Sequence, residues 1–96
     1  MDISFQWDEG KNRLNIRKHG ISFDEARSVF ADSQARLMDD PDHGQNEERF
    51  IILGYSDRLR LLVVCHCYRA EQGAIRIFSA RRANRQEIKT YEEYLK

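Results

Sequence analysis

The amino-acid sequence predicts an α+β fold in which helices pack on one antiparallel β-sheet. An alternating strand and two helices with recognisable capping residues occupy the first third of the chain. Strand-like runs separated by turn residues follow, and a capped helix comes last. The predicted order is therefore a strand, two helices, four strands and a helix.

Length and charge narrow the possible classes of protein. Ninety-six residues are enough for one domain, which we expect to span residues 1–96. Sixteen basic residues balance sixteen acidic ones, so any contact with nucleic acid must come from a local patch. The longest apolar run, residues 61–65, is far shorter than the ~20 residues that cross a bilayer. The first five residues lack the features of a secretory signal, so we expect a cytoplasmic protein without a membrane span.

The first strand and helix follow from alternation and capping. Apolar and polar residues alternate over 3–7, which is typical of a short half-buried strand. Asp8 is expected to cap a strongly basic helix that runs to His19. Gly20 supplies the left-handed residue that ends such helices.

A second helix is predicted from a capping box. In this pattern the Ser22 hydroxyl and the Glu25 carboxylate each bond the backbone N–H of the other residue. Phe23, Ala26 and Phe30 then recur at helical spacing and give the helix one apolar face.

The second half of the chain reads as an antiparallel meander followed by a helix. Residues 35–38 are a possible short strand, and three longer runs cover 50–55, 61–68 and 74–80. The middle run is apolar at both its odd-numbered and its even-numbered positions, which indicates a central strand covered on both faces. Asn84 and Glu87 form another capping box, at the start of the last helix.

Basic residues are concentrated in the first helix and between positions 76 and 89. Guanidinium groups bind phosphate through two hydrogen bonds and stay charged, so these residues are candidates for an RNA-backbone cradle. A solvated helix surface with ion pairs is the alternative. Arg76 is the least easily explained, because it lies among apolar strand residues where a charge needs solvent or a partner.

The strand register decides whether His66 can act beside Arg76. If the loop over residues 70–73 has even length, Arg76 pairs with Cys67 and His66 points to the other face. A change of one residue in loop length would bring His66 opposite Arg76. The sequence leaves both registers open, and His66 is either a catalytic acid or base or a packed histidine.

Other candidate groups have ordinary structural explanations as well. Asp39, Asp40, Asp42 and His43 have metal-binding side chains, but a solvated turn explains them too. Glu48 precedes the meander and would place a carboxylate at the edge of the sheet, or form a surface ion pair with Arg49. Cys65 and Cys67 would face the same side of a strand and are expected to be reduced core residues.

Several short strings spread over nearly the whole chain match one known family. They are Phe5-Gln6-Trp7-Asp8, Lys18-His19-Gly20-Ile21-Ser22-Phe23-Asp24-Glu25-Ala26, Glu48-Arg49-Phe50 and Ile75-Arg76-Ile77-Phe78-Ser79-Ala80-Arg81-Arg82-Ala83, followed by Glu87 and Tyr91. In this combination the chain resembles the BrnT toxins of bacterial type II toxin–antitoxin systems. It departs from the family pattern at Asn84, where threonine is frequent, and at Phe78, where isoleucine is common.

The resemblance implies a RelE-like ribonuclease fold without a cofactor. It also implies cleavage of cellular RNA, which inhibits translation and growth. Neutralisation would come from a BrnA-like antitoxin carrying a ribbon-helix-helix domain. The complex would repress its own operon, so that operator DNA is contacted indirectly through the antitoxin.

The site residues are assigned from the chemistry of a metal-independent ribonuclease. A ribose 2′-hydroxyl attacks the adjacent phosphate, which requires a base, an acid and cations for the developing charge. Arg76 and Arg81 would stabilise the phosphate, Glu48 or His66 would move protons, and Tyr91 is a further donor. The flanking RNA backbone would be held by basic residues, namely Lys11, Arg13, Lys18, His19, Arg82 and Arg85.

Two other functions remain open at this point. One is a non-catalytic module that binds the antitoxin and acts as a co-repressor. The other is a small metal-dependent enzyme that uses residues 39–43. The antitoxin contact itself is expected near the active groove, at Trp7 and the last helix.

Overall fold

The computed structural model describes residues 3–41 and 49–95, which form an α+β fold with a five-stranded sheet. The elements are β1 Ser4–Gln6, α1 Glu9–His19, α2 Phe23–Arg27, β2 Arg36–Asp39, β3 Phe50–Tyr55, β4 Leu61–Arg69, β5 Ala74–Arg82 and α3 Arg85–Tyr94. Short 3₁₀ turns cover Ser28–Ala31 and Ala70–Gln72. Within the described ranges, no helix combines the length and the apolar character needed to cross a bilayer.

The sheet is mixed, with the strand order β1-β5-β4-β3-β2. Strands β2 to β5 form the predicted antiparallel meander, and β4 lies at its centre. The prediction of a purely antiparallel sheet is wrong at β1, which pairs in parallel with β5. Alternation in the sequence identifies a strand but carries no information about its neighbour or its direction, which explains the error. The likeness to RelE stays a prediction.

The caps of α1 and α3 form as predicted, whereas the cap of α2 forms only in part. Ser22 Oγ accepts a hydrogen bond from the Glu25 backbone N–H at 3.0 Å. The Glu25 carboxylate is buried instead of returning to Ser22, and it binds the Arg60 guanidinium and the Ser56 hydroxyl. A charged partner in a buried site is a stronger hydrogen-bond donor than an exposed backbone N–H, so the ion pair replaces half of the capping box.

The larger core lies on the face of the sheet that α1 and α2 cover, which we call the first face. Its fully buried members include Phe23, Ala26, Leu62 and Val64. Asn15 joins α1 to this face, because its side-chain amide exchanges two hydrogen bonds with the backbone of Ala80. These contacts fix the position of α1 against β5.

The opposite side of the sheet, the second face, is covered in part by α3. Leu53, Val63 and Tyr91 form its small core. Arg81 is paired with Val63 and therefore lies on this face. Because the core is small, part of the second face stays open beside the start of α3.

Candidate active site

A cleft of about 440 Å³ opens on the second face beside the start of α3. We call it the α3 cleft, and it is lined by Asp40, Pro41, Arg49, Ile51, Val63, Cys65, Ser79, Arg81 and Glu87. Two guanidinium groups, two carboxylates, a hydroxyl and a thiol therefore share one concave surface. Clefts with a few convergent polar groups of this kind are the usual location of an active site.

Arg81 and Glu87 form a bidentate ion pair at the wall of the α3 cleft. Nη1 and Nη2 of Arg81 donate to the two carboxylate oxygens of Glu87, both at 2.8 Å. Glu87 also accepts a hydrogen bond from the backbone N–H of Asn84 and so completes the capping box of α3. The hydrogen bonds from Arg81 lower the pKa of Glu87, against the opposing effect of its burial. The position of Arg81 is thus tied to the start of the last helix.

Cys65 and Asp40 meet at another part of the cleft. The Cys65 thiol donates to Asp40 Oδ2 at 3.0 Å, and the Asp40 side chain is almost fully buried. Burial, reinforced by the Asp40 carboxylate, raises the pKa of Cys65 to about 12. The thiol is therefore protonated at neutral pH and is a poor nucleophile.

Arg49 is stacked on an aromatic ring at the edge of the cleft. Its guanidinium carbon lies 4.4 Å from the centroid of the Phe78 ring, and Lys11 Nζ lies 5.7 Å from the same centroid. The Arg49 Nε atom is buried and has no hydrogen-bond partner within the described part of the chain. Arg49 therefore adds a second guanidinium charge to the lining of the α3 cleft.

Arg76 lies on the same face as Arg81 because of a β-bulge. Cys65 pairs with Ser79 and His66 pairs with Ile77, so Phe78 is the extra residue. One extra residue changes the alternation of a strand, and it brings Arg76, Ser79 and Arg81 to the second face. Arg76 is half-buried and pairs with Cys67. The pKa of Asp8 is lowered chiefly by the hydrogen bond from the Lys11 backbone N–H, and the charge of Arg76 makes a small further contribution. Arg76 does not line the α3 cleft itself.

His66 lies on the first face, away from the arginines. Because Arg76 pairs with Cys67, the even-loop register is the one observed. The His66 ring is buried, with its centroid 4.8 Å from that of Phe30, and its Nδ1 lies 3.1 Å from the Val64 carbonyl oxygen. Burial lowers the pKa of His66. The sheet therefore separates His66 from the phosphate site proposed for Arg76 and Arg81.

Tyr91 is also placed away from Arg76, at the opposite end of β4. Its hydroxyl donates to Asp32 Oδ2 at 2.7 Å, and its ring packs edge-on against Tyr55. Burial, together with the Asp32 carboxylate, raises the pKa of Tyr91 to about 12. Asp32 packs closely on Gly54, where an added Cβ atom would lie 3.0 Å from Asp32 Oδ2 and 3.1 Å from Cγ1 of Val29 in the 3₁₀ turn. Tyr91 thus fastens α3 to the sheet.

Three of the six predicted RNA-binding residues lie together in a groove between α1 and β5. This α1 groove has a volume of about 490 Å³ and is lined by Lys11, Leu14, Asn15, Arg17, Lys18, His19, Phe78 and Ser79. The other three, Arg13, Arg82 and Arg85, are exposed and line neither this groove nor the α3 cleft. The sequence prediction therefore identified part of one basic surface and three separate surface charges.

Some predicted site residues lie outside the described residues. These are Glu48 and two of the candidate metal ligands, Asp42 and His43. Within residues 3–41 and 49–95, no three His, Cys, Asp or Glu side chains are close enough together to bind a metal ion.

Sequence reasoning missed several residues that the structure brings into the two grooves. Arg49 was considered only as a surface ion-pair partner, Asp40 only as a loop or metal residue, and Cys65 as core. Arg17, Phe78 and Ser79 were not assigned at all. The turn over residues 70–73 was the one sequence signal for the register of these strands. It does not show where a bulge interrupts that register, and alternation alone does not show it either.

The fold and the α3 cleft define a small α+β protein with two guanidinium groups on one concave surface. The family described as "Ribonuclease toxin, BrnT, of type II toxin-antitoxin system" matches residues 7–87. The chain therefore belongs to the BrnT family of ribonuclease toxins, as the sequence motifs predicted.

A solved structure supports the same fold. The crystal structure of the Brucella abortus ribonuclease toxin BrnT matches with a TM-score of 0.66 and 22% sequence identity. The match covers 88% of this chain and 100% of the other. A comparison with curated proteins gave no match.

Proposed function

We propose that the chain is a metal-independent endoribonuclease toxin whose active site is the α3 cleft. The observation that carries the proposal is that Arg49, Ser79 and Arg81 line one cleft, with Arg76 further along β5 on the same face. RNA is a polyanion, and several guanidinium groups on one face provide the charge needed to bind it. The same positive charges would stabilise the negative charge of the transition state, which in metal-dependent ribonucleases is the role of a metal ion.

In this mechanism the scissile phosphate lies over Ser79, between Arg76 and Arg81. These arginines bind the non-bridging oxygens, and their hydrogen bonds strengthen as negative charge develops on the pentacoordinate phosphorus. Arg49 supplies a third guanidinium from β3's side of the cleft. Hydrogen bonds that strengthen only in the transition state accelerate the chemical step, whereas uniform binding does not.

The proton transfers are assigned to carboxylates rather than to His66 or Tyr91. Glu48, which precedes Arg49 in the chain, remains the proposed base for the ribose 2′-hydroxyl. Asp40 is a second candidate for this base because its carboxylate lines the cleft. As the bond from phosphorus to the 5′-oxygen breaks, the protonated carboxyl group or a water molecule gives a proton to that leaving oxygen. The burial of His66 on the first face and the bond from Tyr91 to Asp32 argue against a role for either in this step.

We also propose that a BrnA-like antitoxin with a ribbon-helix-helix domain neutralises the toxin in the cytoplasm. The complex would then bind operator DNA through the antitoxin and repress the operon. Exposed apolar side chains of α3, Ile88 and Tyr94, together with Leu95 at its end, offer a surface for the antitoxin. Exposed apolar groups in one region often indicate a protein contact.

Induced expression in cells tests the activity. Wild type, Arg76→Ala and Arg81→Ala would be compared for growth and total-RNA integrity, with soluble protein verified in each. Arg27→Ala is the matched control, because Arg27 is an exposed arginine of α2 that pairs only locally with Asp24.

The proposal expects growth arrest and RNA loss with wild type and Arg27→Ala, and neither with the other two variants. Purified wild type should cleave RNA equally well in a chelator. Growth arrest by a soluble Arg81→Ala protein would contradict the assignment of the α3 cleft as the active site. No arrest by any of the proteins would favour the non-catalytic co-repressor module.

A further inference from the structure

The α1 groove and the α3 cleft are parts of one continuous surface. Ser79 lines both of them. Its neighbour Phe78 lines the α1 groove and contacts Arg49, which lines the α3 cleft. An extended polymer can therefore bind along the α1 groove, cross the β5 bulge and continue into the α3 cleft.

Phe78 has an unusual position for a strand aromatic residue. As the extra residue of the bulge it has no partner in the pairing with β4. Its ring is only half-buried and contacts two basic side chains, Arg49 and Lys11. An aromatic ring beside a positively charged groove is the arrangement by which proteins bind single-stranded nucleic acid without base-specific hydrogen bonds.

We propose that Phe78 is a stacking platform for an unpaired base of the RNA substrate. The phosphates on one side of that base would lie in the α1 groove, near Lys11 and Lys18. The scissile phosphate would lie on the other side, in the α3 cleft. This inference rests on the proposed ribonuclease function and adds to it that the substrate is single-stranded where it crosses Phe78.

The side chain of Lys11 is suited to exchange partners when RNA binds. Lys11 is exposed, so its contact with the Phe78 ring is a weak cation–π interaction. Stacking of a base on the same ring is stronger. A base would therefore displace the ammonium group, which could then pair with the adjacent phosphate, while Arg49 keeps its place on the ring.

Charge and shape together favour RNA over an acidic protein segment in this groove. Lys11, Arg17 and Lys18 would attract either polyanion. A nucleic acid supplies a flat ring beside every phosphate, whereas an acidic protein segment carries aromatic rings only at scattered positions, so RNA matches a half-exposed aromatic side chain beside a basic groove more closely. In a paired duplex the bases are stacked on each other, so the platform should act on single strands alone.

Binding of a non-cleavable strand tests the proposal separately from catalysis. The probe is a fluorescein-labelled 2′-O-methyl RNA 12-mer, which lacks the attacking hydroxyl, and the readout is fluorescence anisotropy. Wild type, Phe78→Leu and Phe78→Trp would be compared, with thermal melting to verify folding. Tyr68→Leu is the matched control, because Tyr68 is an exposed aromatic residue of β4 that lines neither groove.

The proposal expects Phe78→Leu to weaken binding of the single strand by about 5-fold to 100-fold, the usual range for loss of one base stack. Phe78→Trp and Tyr68→Leu should bind within about 3-fold of wild type, since each keeps a ring at position 78. The same strand annealed to its complement should bind all four proteins equally. In the folded Phe78→Leu protein, a matching loss for the duplex would overturn the proposal.

Two further outcomes separate this inference from the proposed function. Unchanged single-strand binding by Phe78→Leu, with intact cleavage by wild type, would overturn the platform and leave the ribonuclease proposal standing. If Phe78→Leu binds the single strand more weakly than wild type, and wild type does not cleave RNA, the platform would stand and the ribonuclease proposal would fall. If Phe78→Leu weakens antitoxin binding and leaves single-strand binding unchanged, the groove would be a contact surface for the antitoxin, and the platform would be overturned.

Discussion

The Arg81 guanidinium binds both carboxylate oxygens of Glu87, the residue that also completes the cap of α3. The proposed phosphate-binding cation is therefore held by the start of the last helix. This arrangement links the geometry of the cleft to the docking of α3.

Glu87→Gln tests that link, because the amide keeps an acceptor for the helix cap and loses the charge. We expect RNA cleavage to fall about 10-fold as Arg81 loses its orientation. The exposed part of Arg81 limits the stability loss to about 1 kcal/mol. Glu87 has a lowered pKa, so its contribution is present above the ordinary value of 4.5 and is lost as the pH falls through the folded value.

Urea unfolding at pH 7 and pH 3, together with cleavage assays, checks this prediction. The stability gap between wild type and variant should be smaller at pH 3 than at pH 7, because Glu87 becomes protonated as the pH falls. Glu92→Gln, at an exposed position of the same helix, is the control and should change neither quantity. A gap of equal size at both pH values would show that the charge of Glu87 is not responsible.

His66→Leu should leave RNA cleavage unchanged, because His66 lies on the first face among Phe30 and Phe50. Burial lowers the pKa of His66, so the unfolded chain binds the proton more readily than the folded one. Wild type should therefore lose stability as the pH falls below the ordinary value of about 6.5. The variant should lose less over the same range.

Unfolding curves at pH 7, 6 and 5 measure this difference, with cleavage assayed at pH 7. Carboxylates common to both proteins cancel in the comparison. A cleavage rate reduced 100-fold in a folded His66→Leu protein would restore His66 as the catalytic acid or base.

Tyr91→Phe removes the hydroxyl bond to Asp32 and keeps the ring in the core. We expect the free energy of unfolding to fall by about 1 kcal/mol, the usual size of one hydrogen bond. Cleavage should stay within about 2-fold of wild type, because the remaining contacts hold α3. Tyr55→Phe, which removes a hydroxyl from the neighbouring exposed ring, is the control. Loss of cleavage without loss of stability would indicate a chemical role for Tyr91.

Glu25→Gln tests the buried pair that holds the β3–β4 turn against α2. Removing the charge leaves the Arg60 guanidinium without its carboxylate, and we expect a loss of about 2 kcal/mol because Arg60 is partly solvated. The melting temperature should fall by about 10 °C in a domain of this size. Asp24→Asn is the control, since its exposed ion pair with Arg27 should contribute less than about 0.5 kcal/mol. Equal shifts in the two variants would contradict a special role for the buried pair.

Local signals in the sequence were sufficient for most elements. Asp8 and Gly20 bounded α1, and Asn84 and Glu87 began α3, because these caps depend only on neighbouring backbone groups. The Glu25 cap failed in part because Arg60 and Ser56, more than 30 residues away, compete for its carboxylate. Such a competition appears only after folding.

The candidate site was harder to predict for the same reason. Arg81 was assigned from motif and charge, and it does line the α3 cleft. His66 was uncertain because one residue of register decides its face, and the structure places it in the core. Arg49 lies in the cleft beside Asp40, whose backbone N–H donates to the Arg49 carbonyl oxygen, and no local pattern reveals this contact. Motifs thus indicate which residue types matter, whereas topology decides which of them meet.

The pairing of β1 with β5 also bears on how the toxin is made. Gln6 bonds to Gln72, 66 positions later, and among residues 3–41 and 49–95 the strand that pairs with β1 is β5, the last along the chain. During synthesis β1 therefore cannot pair with β5 until nearly the whole chain has been made, since contacts so distant in sequence form late. The guanidinium groups of β5 emerge at the same stage. A nascent or prematurely terminated chain that lacks β5 consequently has neither the complete sheet nor Arg76 and Arg81, the residues proposed to bind the phosphate.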